Sequence, residues 1–278
     1  MSSRFEFLGD TILGQYLPLA TWFHHRDPRA RLLCFVFLFI GLIFAPEIWT
    51  LILGLTVVLL IYTLAELPLK PALSGIKRAL PFIVILALLQ IIFLKPAESA
   101  PILWEIFGLS ITRGVLLSAV NLILRFLALI ILINAFVMSL STSQVTAALY
   151  HLLKPLEKVR FPVNDLMMVV QITMRYIPII AQMAEKTVKA QAARGADWEK
   201  KGFNPIKQAK RVIPLIVPLI VNSLERAETM ALAMESRGFN AAHQRSSFYI
   251  LHFTWQDFML MVISLVLTTA ILFLGRFV

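Results

Sequence analysis

The sequence is poor in charge and nearly empty of cysteine. Of 278 residues, 15% are charged and 59% hydrophobic, and the mean hydropathy is +0.80. A water-soluble domain carries roughly 25% charged and 45–50% apolar residues, so this composition belongs to a membrane protein. The one cysteine, Cys34, excludes an intrachain disulfide. No glycine is followed by lysine, which excludes a GxxxxGK[ST] phosphate loop. His24 and His25 adjoin but lack further ligands at metal spacing. They read as an interfacial pair, and no metal site is expected. No aspartate-rich cluster suits a prenyl transferase. Residues 1–29 hold Glu6, Asp10, Asp27 and Pro28 rather than a basic start and an apolar run, so no cleavable signal peptide is expected.

Long apolar runs are what the chain does have. A helix needs about 20 residues to cross roughly 30 Å of hydrocarbon. The runs predict five spans: 32–45, 48–65, 80–94, 114–140 and 256–275. The run at 80–94 is short and is expected to tilt or to cross only partway. The expected fold is therefore an all-α polytopic membrane protein with about five transmembrane helices and a coupling module of long helices. Its divisions are an N-terminal segment 1–31, a transmembrane region 32–140, a module 141–254 and a last helix 255–278.

The net charge of +10 raises the question of nucleic acid, and the placement of the charges answers it. Arg4, Arg26, Arg29 and Arg31 precede the first span, and Lys70, Lys77 and Arg78 fall between the second and third. Fifteen of the 26 basic residues lie between 141 and 254. Cytoplasmic loops are enriched in Lys and Arg. The N-terminus and the 141–254 region are thus expected on the cytoplasmic side of the membrane, and the C-terminus outside. Nucleic acid is not an expected partner. Lys154, Lys158, Arg160, Lys200, Lys201, Lys207, Lys210 and Arg211 suit anionic headgroups.

The module is too apolar for a solvated loop. Arg175, Pro178, Pro214 and Pro218 interrupt its greasy stretches, which favours helices lying against the membrane or under the bundle over two extra spans. Pro155 and Pro162 isolate a short helix near 142–153 with Ser143 as a possible N-cap. A long helix starts near 163 and stops at Gly195, and Asp197 to Gly202 forms a polar turn. Asn204-Pro205 opens another helix that stops at Gly238.

These two helices end alike. "AQAARGAD" at 190–197 and "AMESRGFN" at 233–240 each place a small residue, an arginine and a glycine together. "RYIPII" at 175–180 resembles "RVIPLI" at 211–216. Ala184-Glu185 and Ala227-Glu228 stand at the same distance before Arg194 and Arg237. The opening-to-ending separations are 19 and 26 residues, and the difference of seven is close to two helical turns. The pattern is that of a degenerate internal repeat. An arginine and glycine at a helix end is ordinary capping chemistry. Two such ends in phase, each beside a small residue (Ala193, Ser236), also suit close approach and bidentate pairing with carboxylates. Two similar ends predict two similar acidic pockets on related partner subunits.

Together these motifs resemble the transmembrane T component of energy-coupling factor transporters, the EcfT/CbiQ family. "GQYLP" at 14–18 and "RDPRARLL" at 26–33 look like its N-terminal signatures. Ala193-Arg194-Gly195 and Ser236-Arg237-Gly238 look like its paired Ala-Arg-Gly motifs, with Ser236 replacing alanine. The resemblance implies a non-catalytic subunit of an ATP-driven importer of a vitamin or other micronutrient. It implies two ABC ATPase subunits as partners, each taking one arginine-tipped end in a groove. It implies a substrate-binding S component seated on the module's apolar face and toppled in the bilayer as the ATPases close and open. ATP and Mg²⁺ would be bound by those ATPases, and this chain would need no cofactor. A self-contained channel or secondary transporter is the alternative, and it would need an ionisable pathway through the spans that the sequence does not offer.

Three further groups stand out. Arg125, with Asn121 one turn earlier, lies deep in a span, where a charge costs at least about 2.5–3.5 kcal/mol. It must face protein or water, bonded either to backbone carbonyls or to a neighbouring helix. Gln90 and Asn134 are expected to bond between helices. Six of the ten methionines fall in the module. Met167, Met168 and Met174 suit an adaptable platform for the S component, though core packing explains them equally well.

Overall fold

The computed structural model describes residues 21–94, 102–106, 109–195, 205–239 and 253–277. Its elements are α1 (Pro28–Phe44), α2 (Ile48–Leu64), α3 (Leu69–Phe93), β1 (Ile102–Ile106), β2 (Leu109–Thr112), α4 (Arg113–Ser139), α5 (Thr142–Leu153), α6 (Val163–Ala193), α7 (Pro205–Ser236) and α8 (Trp255–Phe277). A 3₁₀ segment, Lys154–Val159, follows α5. The chain divides into two units, with α6 and α7 in one and the remaining elements in the other. The motif at 14–18, the turn at 197–202 and the Asn204 cap lie outside the described residues.

Among the described residues four helices are long and apolar enough to cross a membrane: 69–93, 113–139, 163–193 and 255–274. With the apolar α1 and α2 beside them, they describe a multi-pass membrane protein. Helices α1 and α2 have 17 residues each, about 25 Å at 1.5 Å per residue. Several sequence expectations change here. The segment 80–94 is the second half of the 25-residue α3, which continues through Pro81. Lys70, Lys77 and Arg78 therefore sit on helix and not in a loop. Arg175 and Pro178 do not break α6, nor do Pro214 and Pro218 break α7. A proline forfeits one backbone bond, and helices of 31 and 32 residues keep enough others to run straight through. Strands β1 and β2 pair antiparallel, which the all-helical reading omits, with Trp104 opposite Ile111 and Ile106 opposite Leu109.

In the larger unit α1 is the axis, packing against α2, α4, α5 and α8. Leu32, Phe35, Leu38 and Leu42 are buried along it, and Ala128, Leu132, Ala135 and Met138 face them from α4. Phe35 meets Phe23 and Phe136 edge-on, with ring centroids 6.1 and 5.4 Å apart. Lipid tails are as apolar as these side chains, so close packing must hold the helices together. Gly41 supplies it against α8, where an added Cβ would lie 3.3 Å from Thr268 Cγ2. Gly54 does the same against α1, where a Cβ would lie 2.5 Å from Leu42 Cδ2.

Polar contacts fix the helix ends. Asp27 caps α1, accepting from the Arg29 backbone N–H at 2.8 Å, with Pro28 as the first helical residue. Its own N–H donates to Asp257 Oδ1 at 3.2 Å. Asp257 Oδ2 in turn accepts from the Thr254 N–H at 2.8 Å, closing the start of α8. One carboxylate thus joins two helix N-termini, whose dipoles both favour negative charge.

Arg31, which the sequence reading placed in the N-terminal segment, is fully buried in the first turn of α1. It donates through Nη1 to the Ser139 carbonyl at 2.7 Å and through Nη2 to Gln144 Oε1 at 3.3 Å. Gln144 also closes a capping box with Ser141, which corrects the expected cap at Ser143. Beside this knot, burial and then the Arg31 charge push His24 below its ordinary pKa. Arg125 donates to the carbonyl of Ala45, the last orphan of α1. The expected interhelical bond of Asn134 is not made; its amide donates to Ile130 O in its own helix at 2.8 Å and packs beside Gly75 of α3. Gln90 Oε1 has no hydrogen-bond partner.

Replacing Arg31 with methionine keeps the bulk and removes both donors. The variant is expected to lose roughly 1.5–3 kcal/mol, the worth of a hydrogen bond to a charged group. Thermal unfolding of the purified chain in detergent measures this, and an unchanged midpoint would show that the α4–α5 corner stands without the clamp.

Candidate functional site

Helices α6 and α7 make a unit of their own. They touch at an apolar groove formed by Ile180 of α6 with Ile216, Leu219, Ile220 and Leu224 of α7. From there each helix continues to its arginine. Arg194 lies 14 residues beyond Ile180, about 21 Å of helix, and Arg237 lies 18 beyond Leu219, about 27 Å. Both arginines therefore stand at the far tips of rigid limbs.

The tips share one backbone geometry. Gly195 has φ +84° and Gly238 has φ +70°, the left-handed region that glycine enters without cost. The Gly195 N–H donates to Ala192 O at 3.0 Å, and the Gly238 N–H donates to Glu235 O at 2.9 Å. At the second tip the Phe239 N–H also reaches Met234 O at 3.0 Å, completing a Schellman motif. Each arginine is thus the C-cap residue of its helix, where a cation meets the negative end of the dipole.

The side chains differ from a plain cap in what they lack. Ala193, Arg194, Gly195, Ser236, Arg237 and Gly238 are all exposed. Among the described residues neither guanidinium has an ion-pair partner. The open flank of each glycine is empty as well, since a Cβ built there meets no atom within 4 Å. Each tip therefore offers five N–H donors and a flat backbone surface to an incoming carboxylate. Glu185 is drawn away from its tip by an ion pair with Lys189 one turn on. At the equivalent place after Glu228 the chain has Leu232, so this ion pair has no counterpart before the second tip.

A second surface lies on the same unit. Ile213, Ile216, Val217, Ile220 and Leu224 of α7 are exposed, an apolar stripe beside the groove. The three methionines are not equivalent. Met167 is buried, Met168 half-buried and Met174 exposed. Among the described residues no group of three His, Cys, Asp or Glu is placed to hold a metal ion.

Sequence reasoning missed the residues that orient the larger unit: Arg31, Asp257 and the Gln144 box. "RDPRARLL" carried the signal for two of its positions, since Asp-Pro before an apolar run is an N-cap pattern. Nothing local marks Asp257 as their partner 230 positions on.

Comparison with known proteins bears on this arrangement. Residues 20–250 match the CbiQ family, described as a cobalt transport protein. The chain is 31% identical over 268 residues to the energy-coupling factor transporter transmembrane protein EcfT of Bacillus subtilis (strain 168), covering 95% of this chain and 98% of that one. It is 33% identical over 267 residues to the EcfT protein of Brevibacillus brevis, covering 95% and 98%. Against the EcfT protein of Staphylococcus aureus it is 34% identical over 249 residues, covering 88% and 90%.

Because the glycine flanks are open, Gly195→Ala and Gly238→Ala meet no steric barrier. Each is expected to cost roughly 1–2 kcal/mol through the left-handed backbone alone. Asparagine, which tolerates that region, should recover most of it. Thermal midpoints of the four single variants check this; equal midpoints for alanine and asparagine would refute the backbone account.

Proposed function

The chain belongs to the EcfT/CbiQ family and is a non-catalytic transmembrane coupling subunit of an energy-coupling factor transporter, and we propose that Arg194 and Arg237 are its contacts with the motor. In this reading two ABC ATPase subunits each receive one tip. The guanidinium pairs with groove carboxylates, and the glycine lets the groove wall approach. The observation that carries it is the pair of exposed arginines at matched helix ends, neither with an ion-pair partner among the described residues. A helix crossed at its middle and gripped at its tip is a lever. Closing and opening of the ATPases around bound ATP and Mg²⁺ would swing α6 and α7 and so move whatever rests on their apolar stripe.

That load would be a substrate-binding S component carrying a vitamin or other micronutrient, with Met167, Met168 and Met174 contributing to its seat. Met174 is the most open of the three, and Met167 would act from beneath. Leucine at all three positions keeps volume and removes thioether flexibility. It should narrow the range of S components that exchange on the complex, and undiminished competition between different S components would sink the methionine role.

The fuller topology belongs to the same proposal. Five spans, drawn from α1, α2, α3, α4 and α8, leave the N-terminus and the 141–254 module in the cytoplasm and the C-terminus outside. The charge distribution supports this, with fifteen of 26 basic residues in the module. Helix α6 is long and apolar enough to cross, but its neighbours carry the charge bias of an inner face.

Charge reversal tests the arginines directly. Arg194→Glu and Arg237→Glu should each weaken ATPase binding at least ~30-fold, since losing one partner of a buried charge pair costs roughly 2–5 kcal/mol. The double variant should not co-purify with the ATPase pair. ATP-dependent uptake by the reconstituted complex should fall in parallel. Retained assembly and uptake in all three variants would leave the arginines as helix caps and move the coupling contact elsewhere.

A further inference from the structure

The larger unit holds a cavity of about 380 Å³ between α1, α2 and α8 that the coupling role does not use. Its wall is almost wholly apolar, with Leu38 from α1, Val57 and Ile61 from α2, and Leu260 and Leu267 from α8 along its length. It begins at one end of the helices, where Trp22, Phe23 and Gln256 line it, and reaches inward as far as Leu38 and Leu267. That is ten residues into α1 and twelve into α8, a depth of about 15–18 Å. Leu60 and Ile263 stand half-exposed on its open side. A slot this narrow, deep and apolar, open towards lipid, has the dimensions of one acyl chain.

Its mouth adds charge. The Arg26 guanidinium carbon sits 4.2 Å from the centroid of the Trp22 ring, an arrangement that holds a cation at a membrane interface. Arg26 Nε is buried and has no hydrogen-bond partner. His25 beside it is exposed. The adjoining acid Asp27 is turned to other partners through Oδ1, which caps α1 and lies 3.8 Å from Arg29 Nε, and Asp257 joins α1 to α8. Glu66 in the α2–α3 turn and Lys70 at the start of α3 are both exposed. An anion at the mouth thus meets a half-exposed arginine stacked on Trp22, a residue of the cavity wall.

We propose that this cavity is a specific site for an anionic phospholipid, one acyl chain lying between α1, α2 and α8 and the phosphate bonded to Arg26. Bound there, the lipid fills a void at the joint where α1 and α8 start and stabilises the unit against which the coupling helices must work. A zwitterionic lipid offers the same chain without net charge, so the headgroup preference reads Arg26 and the total occupancy reads the slot.

The test is native mass spectrometry of the purified full chain in detergent, titrated with dioleoyl phosphatidylglycerol or dioleoyl phosphatidylcholine. One basic contact is worth about 1 kcal/mol near a charged headgroup, so phosphatidylglycerol should be retained about fivefold more strongly. Arg26→Gln should abolish that preference, whereas Arg78→Gln, an exposed basic position on α3, should leave it intact. Leu60→Trp and Ile263→Trp fill the slot from its open side, where the added bulk faces lipid and folding is spared; a thermal midpoint within a few degrees of wild type confirms that. Both should lose the retained lipid of either kind. The proposal is overturned if Arg26→Gln keeps the preference, or if the filled variants hold as much lipid as wild type. It also fails if phosphatidylglycerol is retained only after deletion of residues 2–20, since the occupant would then be the chain's own N-terminal segment.

Discussion

A guanidinium withdrawn from water must bring its donors to acceptors, and in a bilayer the acceptors in shortest supply of partners are the carbonyls at helix C-termini. Arg31 meets both needs at once. From the first turn of α1 it donates to Ser139 O at the end of α4 and to Gln144 of the α5 capping box. Arg125 returns the service from the middle of α4, donating to Ala45 O where α1 ends. The two helices therefore cap one another. The pairing fixes their antiparallel register, because a slide of one turn along α1 would strand both guanidinium groups and both carbonyls.

The other contacts of the larger unit build on that register. The Asp257 carboxylate can join the N-termini of α1 and α8 because α1 already has its place. Gly41 and Gly54 allow α8 and α2 to lie close on either side of the same helix. Packing of this kind stands in for the hydrophobic drive that lipid removes. It leaves a cavity between α1, α2 and α8, with Trp22 and Phe23 at one end.

The two-helix unit follows the opposite economy. Its helices are long, touch near their middles and keep an exposed apolar stripe. Its arginines occupy the same chemical position as the acceptors of Arg31 and Arg125, a helix C-terminus, yet among the described residues they spend no donor on a neighbouring helix. Unspent donors at the end of a stiff limb suit transmission of force between subunits. The chain's membership of a coupling-subunit family agrees with a molecule whose function lies in its surfaces and not in a catalytic cleft.

Much of this was legible along the chain because it depends on local chemistry. Hydrophobic runs of about helix length fix the membrane class, and Arg-Gly endings fix two helix stops, since glycine reaches positive φ where other residues are strained. Proline misled. Pro178, Pro214 and Pro218 suggested interruptions, but long helices absorb a lost bond without breaking. The alternation in 102–112 passed unnoticed because a short hairpin gives a weak signal beside apolar helices. Arg31 read as a loop charge and Asp257 as nothing in particular, because their partners lie 108 and 230 positions away. The sequence by itself determined that the chain is built of long apolar helices and where two of them end in arginine. Tertiary structure alone decided which charges are buried, which helix caps which, and where a cavity remains. Those outcomes depend on helix register, and register is set by contacts between residues that no local pattern relates.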